Sequence, residues 1–182
     1  MTSSQGEVVL NSRRIYEGRV VSLRVDTVTL PGGRTATREI VEHRAAAVIV
    51  PLDGMGNVLL ERQFRKAVDS ILLEIPAGVL EAGEAAEDGA RRELEEETGY
   101  RAGRLERLGG FYSSPGFCTE FLHAFLATEL TPGPARTEAD EDIEPVWVPL
   151  ARIRELIASG EVRDAKSVAS LLLTLDKLGD HR

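Results

Sequence analysis

Three glutamates, Glu93, Glu96 and Glu97, stand at i, i+3 and i+4, the spacing that brings side chains to one face of an α-helix. The surrounding residues predict a helix from about Ala85 to Glu97, with Gly99 placed to end it. At about 100° per residue, with Glu93 at 0°, Glu97 falls near 40° and Glu96 near −60°. Ala86, Ala90 and Leu94 fall at about 20°, 60° and 100°, so the glutamates share the side of the small and apolar residues. Asp88, Arg91 and Glu95 take the opposite side, at about 160–220°. Three carboxylates facing the protein body repel one another and lose hydration, so they need a compensating charge. Cations bound through oxygen, Mg²⁺ or Mn²⁺, supply it. A surface helix laced with Glu–Arg pairs is the competing reading of the same geometry.

Around this helix the sequence predicts a body of strands. Arg19–Leu30 and Arg34–Glu42 are rich in β-branched residues and are separated by Pro31-Gly32-Gly33, a turn signal. Ala45–Leu52 is a continuous apolar run suited to a strand buried on both faces. Asp53–Asn57 reads as the turn of a hairpin leading into Val58–Arg65. Its glycines are not followed by a helix, so a dinucleotide fingerprint is set aside. Ile71–Ile75 is a short strand before Pro76-Ala77-Gly78, and strands resume at Leu105–Phe111 and Phe121–Ala127. Two helices finish the chain. One follows Pro149, with Leu150, Ile153, Leu156 and Ile157 on one face. The other starts at Asp164 as N-cap and carries Val168, Leu171, Leu172, Leu175 and Leu178. Strands first, one helix in the middle and helices last predict an α+β layered fold.

Composition narrows the classes. The 182 residues are 42% hydrophobic, enough for a core, and a single Cys118 excludes an internal disulfide and a cysteine-cage zinc site. No apolar run approaches the roughly 20 residues that span a bilayer, and the start of the chain lacks the order of a signal peptide. A cytoplasmic protein without membrane contact is therefore expected. The net charge of −8 is concentrated in two places. Glu84 to Glu97 holds seven acids and two bases, and Glu138 to Glu144 holds five acids and no base. The remainder is near neutral, so the acidity is local, which favours cation binding over a diffuse solubilising surface. No basic stripe appears, which argues against nucleic acid as a partner.

The spacing Gly78, Glu84, Arg92-Glu93-Leu94, Glu96-Glu97, Gly99-Tyr100 resembles the Nudix box, G-x5-E-x7-R-E-U-x-E-E-x-G-U, with U aliphatic. Every fixed position matches, and only Tyr100 departs, at a packing position beyond the helix. The resemblance implies an α/β/α sandwich around a mixed sheet and hydrolysis of a nucleoside diphosphate linked to another moiety. It also implies two to three divalent ions per site. Glu93 and Glu97 would be metal ligands with Glu96 beside them, and the carbonyl of Ala77 a further ligand. Arg92 would orient the glutamates, and Glu84 would support the helix or its waters. Diphosphate hydrolysis needs charge neutralised on phosphoryl oxygens and a water activated near neutral pH, which bound cations do better than side chains alone.

Further segments resemble the ADP-ribose pyrophosphatase group. Pro115, in Ser113-Ser114-Pro115-Gly116-Phe117, follows Tyr100 by 15 residues. Arg38-Glu39-Ile40, Glu61–Arg65, Glu74–Gly78 and Gly160–Ser167 also match in character. The resemblance implies that Arg38 and Glu39 contact the adenosine part and that Arg65 meets the diphosphate. Ser114, Pro115, Gly116 and Glu120 would line the terminal ribose side, with Val79 packing nearby. Taken singly, an arginine here is a solvated surface residue and Ser-Pro-Gly a turn. The acidic run resembles a loop that supplies a metal ligand or the catalytic base. Glu141 is the first choice and Glu138 the second, because Ala139 stands where some relatives carry the base.

The leading expectation is Mg²⁺-dependent hydrolysis of ADP-ribose. A pyrophosphatase for another nucleotide sugar, such as a GDP- or ADP-hexose, and a non-catalytic ADP-ribose-binding module are the alternatives. The intact Arg92, Glu93, Glu96 and Glu97 set speaks against the pure binder. Residues 1–44 form a β segment too small to enclose a core, beside a Nudix domain over 45–182. Its free strand edges need covering, and the resembled group forms homodimers with exchanged N-terminal segments.

Overall fold

A computed structural model describes residues 6–133 and 143–179 of the protein. The chain divides into two compact units, Met1–Arg44 with Tyr112–Phe121, and Ala45–Phe111 with Leu122–Arg182.

The first unit is a three-stranded antiparallel sheet of β1 (Val8–Glu17), β2 (Ser22–Thr29) and β3 (Thr35–Glu42), in that order. The hairpin of β2 and β3 matches the turn signal at Pro31-Gly32-Gly33. Gly32 and Gly33 have φ of 96° and 84°, a conformation that side-chain-bearing residues rarely adopt. Strand β1 was not anticipated. All of its residues are exposed, so its apolar members Val8, Val9, Leu10, Ile15 and Tyr16 do not mark one buried face. Tyr112–Phe121 joins this unit by hydrogen bonds between Val41 and both Phe117 and Thr119. An edge-to-face contact of Tyr112 with Phe121 closes its base.

In the second unit, β4 (Ala46–Pro51) is buried at every residue, as its continuous apolar run requires. It lies between β7 (Ala77–Val79), antiparallel, and β9 (Phe121–Pro132), parallel, with β8 (Tyr100–Tyr112) beyond β9. The sheet is therefore mixed. A second sheet has the order β10 (Ile143–Pro149), β5 (Asn57–Arg65), β6 (Ser70–Glu74). The expected hairpin of the Ala45–Leu52 run with Val58–Arg65 is reduced to one bridge, Leu52 to Val58, after which the strands enter different sheets. Asp53 holds that tight turn by accepting from the backbone N–H of Met55 and Asn57.

The alternating residues of β4 feed two cores. Val48 and Val50 pack with Leu60, Ile75, Ile153, Leu171 and Leu175, and Ala47 and Ile49 pack with Ala90, Leu94 and Phe125. Helix α1 (Ala86–Thr98) thus covers one face. On the other lie α2 (Ile153–Ser159), entered through a 3-10 turn at Leu150–Arg152, and α3 (Ala165–Lys177). This is an α+β fold with an α/β/α sandwich. Asp164 caps α3 as expected, but Leu172 and Leu178 are exposed. The buried stripe is Ser167, Ser170, Leu171, Thr174 and Leu175, because small hydroxyl residues let the helix approach the sheet closely. No helix among the described residues is long and apolar enough to cross a membrane.

Candidate active site

The site is built on the segment β7–α1. Helix α1 ends at Gly99, whose φ of 72° is the left-handed cap that its glycine allows, with the cap N–H donating to Glu95. Ala90 and Leu94 are fully buried and anchor the helix, which turns Glu93 and Glu97 toward the same side. Glu97 is buried, Glu93 nearly so, and Glu96 stands at the edge with its side chain 43% exposed. The face geometry read from the sequence is the one observed, and a fully solvated glutamate face is not.

Arg92 holds these acids together. Its Nε and Nη2 both donate to Glu84 at 2.9 Å, and Nη1 donates to Glu93 at 2.7 Å and Glu96 at 3.0 Å. Nη2 also lies 3.4 Å from the carbonyl of Val79. The planar fork makes this possible, since one guanidinium carries five donors. Hydrogen bonds from Arg92, and from the Glu81 backbone, draw the Glu84 carboxyl below its usual range. Arg92 is in turn held more firmly protonated, chiefly by Glu84.

Strand β7, ahead of the helix, meets Glu97 and Glu93 with its backbone. Ala77 donates its N–H to Glu97 Oε2 at 3.0 Å. A side chain at Gly78 would collide with the Glu93 carboxylate, so only glycine admits Glu93 there. The donors gathered here, the buried carboxylate of Glu97, the nearly buried one of Glu93, a third at the edge and the β7 backbone, are all oxygens apart from the N–H that orients Glu97. That set fits a hard divalent cation. Among the described residues no three acidic, histidine or cysteine side chains close a cage on their own. Mg²⁺ does not require one, because one or two carboxylates suffice when waters and substrate phosphates complete the octahedron.

Tyr100, the position departing from the box, packs edge-on against Trp147 with ring centroids 5.5 Å apart. An aromatic ring therefore fills the aliphatic position without disturbing the helix.

Arg65, at the end of β5, lies in the same unit. It donates Nε and Nη2 to Glu74 at 3.1 and 2.9 Å, and it senses the charge of Glu97. Burial disfavours its charge, but Glu74 outweighs that effect and keeps the guanidinium protonated. Sequence reasoning assigned no role to Glu74, which is only 2% exposed. Its signals were its place at the head of the Glu74–Gly78 segment and a lone carboxylate after the apolar Ile71–Leu73 run.

The first unit carries the other named residues. Arg38 and Glu39 are on β3, with Arg38 paired to Glu7. Ser114 accepts from the N–H groups of Phe117 and Cys118, forming the turn that exposes Pro115 and Gly116. Glu120 lies 3.3 Å from His43, and Thr119 hydrogen-bonds to His43 through its hydroxyl. The strand with Arg38 and the turn with Ser114 are thus parts of one folded unit. Glu138 and Glu141 lie outside the described residues.

Comparison with known proteins finds two family matches along the chain. A model described as the NUDIX domain matches residues 41–171, and one described as the nucleoside diphosphate sugar hydrolase N-terminal domain matches residues 7–41. An ADP-ribose pyrophosphatase of Bacillus subtilis is 42% identical over 91% of this chain and 90% of its own. A methanol dehydrogenase activator of Bacillus methanolicus is 36% identical, over 91% of this chain and 90% of its own. An ADP-ribose pyrophosphatase of Mycobacterium tuberculosis is 35% identical, over 90% and 80%. A crystal structure of an ADP compounds hydrolase superposes with a TM-score of 0.88 at 24% identity, covering 99% of this chain and all of that one. The NUDIX match takes in β7, α1 and the sandwich around them, well over half of the residues, and the chain belongs to the Nudix family.

Proposed function

We propose that the protein hydrolyses the diphosphate bond of ADP-ribose with Mg²⁺, giving AMP and ribose 5-phosphate. The observation that carries this reading is the seating of Glu93 and Glu97 against the backbone of Gly78 and Ala77, in the unit that also holds Arg65. The 42% identity to an ADP-ribose pyrophosphatase favours ADP-ribose over a hexose-linked nucleotide. Glu93, Glu97 and the Ala77 carbonyl hold the metal, with Glu96 beside them. Bound there, divalent ions neutralise phosphoryl oxygens and lower the pKa of a water.

The chain's own residues do the rest. Arg92 orients the glutamates, through Glu93 and Glu96 directly and through Glu84 at its other edge. Arg65 meets the diphosphate. Arg38 and Glu39 contact the adenosine part, and Ser114, Pro115, Gly116 and Glu120 receive the terminal ribose, with Val79 packing near the site. Glu141, with Glu138 as second choice, takes the proton of the attacking water. That water's oxygen ends on one phosphate as the bridging P–O bond breaks, and the other phosphate leaves with the bridging oxygen.

The working form is a homodimer with exchanged N-terminal segments. The support is β1, an edge strand whose apolar residues Val8, Val9 and Leu10 are each more than half exposed. Phosphate release coupled to a phosphatase, across a panel of nucleotide sugars with and without Mg²⁺, tests the reading. Turnover confined to a hexose-linked nucleotide overturns the substrate, and absence of any turnover overturns the reaction.

A further inference from the structure

Arg65 also belongs to a second ionic network in the same unit, whose other members are used by none of these steps. Both oxygens of buried Glu74 are engaged, by the fork of Arg65 and by Lys166, whose ammonium also reaches Asp164 at 2.9 Å. Asp164 caps α3, accepting from the Ser167 N–H at 3.0 Å and its hydroxyl at 2.7 Å. The Ser167 hydroxyl in turn accepts the Ile75 N–H at 2.9 Å, and Ser167 is fully buried. The start of α3 therefore clamps Glu74 and Ile75, and Ala77, bonded to Glu97, is two residues further on.

The charges matter as much as the clamp. Two carboxylates, Glu74 and Asp164, face two cations, Arg65 and Lys166, and Glu74 is shared between both cations. If Lys166 were absent, Glu74 would belong to Arg65 alone and would cancel its charge, with Asp164 adding an unbalanced negative charge nearby. Arg65 keeps 41% of its side chain exposed while Glu74 keeps 3%, so the guanidinium has an outward side with donors left for a ligand.

We propose that Lys166 is a positioning residue for diphosphate recognition, sharing Glu74 with Arg65 so that the guanidinium keeps its orientation and its free positive charge. This rests on the reading of Arg65 as the group that meets the diphosphate. The test is the affinity of inorganic pyrophosphate in Mg²⁺ buffer, by calorimetry, for Lys166→Met, Arg65→Ala and the double variant. Lys166→Met should weaken binding about tenfold in the presence of Arg65 and less than about twofold in its absence, with Lys166→Arg restoring most of the loss. With ADP-ribose, the same variant should raise KM about tenfold and leave kcat within about threefold.

If Lys166→Met does not fold, Asp164→Asn answers with the opposite sign. Asparagine keeps the helix cap, frees Lys166 for Glu74 and should tighten pyrophosphate about threefold, provided Arg65 is present. Unchanged pyrophosphate affinity in these variants, or an equal effect with and without Arg65, overturns the proposal. A wild-type protein that leaves ADP-ribose uncleaved overturns the functional reading instead, and the pyrophosphate cycle still decides the role of Lys166.

Discussion

The backbone N–H of Ala77 donates to Glu97 Oε2 at 3.0 Å, joining strand β7 at the start of the box to the last glutamate of its helix. The carboxylate is thereby oriented by the main chain through one oxygen. Orientation and charge can be separated by mutation.

Glu97→Gln keeps an oxygen able to accept from Ala77 and removes the charge. The fold should persist, with melting unchanged within a few degrees, while kcat falls by roughly 10²–10⁴ at saturating Mg²⁺. Wild-type turnover would reject the metal assignment of Glu97.

Gly78→Ala introduces a Cβ where the Glu93 carboxylate lies, and that side chain must move. The far end of a flexible side chain can yield, so stability should fall by only about 1 kcal/mol. Metal affinity should fall at least about tenfold, because a displaced ligand no longer meets the ion. Calorimetric titration with Mn²⁺ separates the two effects, and unaltered binding would place the metal elsewhere.

Arg92→Gln removes the shared counter-charge of Glu84, Glu93 and Glu96. At pH 7 the loss should be about 2 kcal/mol, since the cluster is partly buried. Glu84 sets the pH dependence. Its folded pKa is held below the ordinary 4.5, chiefly by Arg92. A depressed carboxyl stabilises the fold above its unfolded pKa and loses that contribution as pH falls through the folded value. The stability gap between wild type and variant should therefore narrow below about pH 4.5 in urea melts. A constant gap from pH 7 to pH 3 would show that the Glu84 pair contributes nothing.

For Glu141→Gln the expected result is a large fall in kcat with KM nearly unchanged, because a base acts mainly in the transition state. A change confined to KM would move Glu141 from catalysis to binding, and an unaltered enzyme would leave Glu138 as the candidate.

Deleting residues 1–42 should abolish dimerisation and adenosine recognition while α1 still binds metal. Sedimentation at micromolar concentration reads the first effect. Mixing Arg38→Ala with Glu97→Gln subunits reads the sharing of sites, since exchanged segments restore one intact site in a mixed dimer. A monomeric wild type, or mixtures without recovered activity, would reject the exchange.

How far the sequence led depends on the range of each interaction. The metal helix was legible because a helix places i, i+3 and i+4 together whatever surrounds it, and α1 shows Glu93, Glu96 and Glu97 so placed. The buried strand β4 was legible from an unbroken apolar run. Strand β1 was not, because its apolar residues are exposed and mark no face. The pairing of Glu74 with Lys166 joins residues 92 positions apart, and no local spacing encodes it. The same holds for β4 and β5, where a good turn was visible and the divergence into two sheets was not.

Trp147 is the chain's one tryptophan, and its ring meets Tyr100 directly after the glycine that ends α1. The protein therefore carries a native optical probe at the C-terminal end of its metal helix. Excitation at the red edge selects a single indole, and transfer from Tyr100 at 5.5 Å reports whether helix and strand remain docked. Emission followed during a Mn²⁺ titration or an unfolding ramp would read that junction without any label.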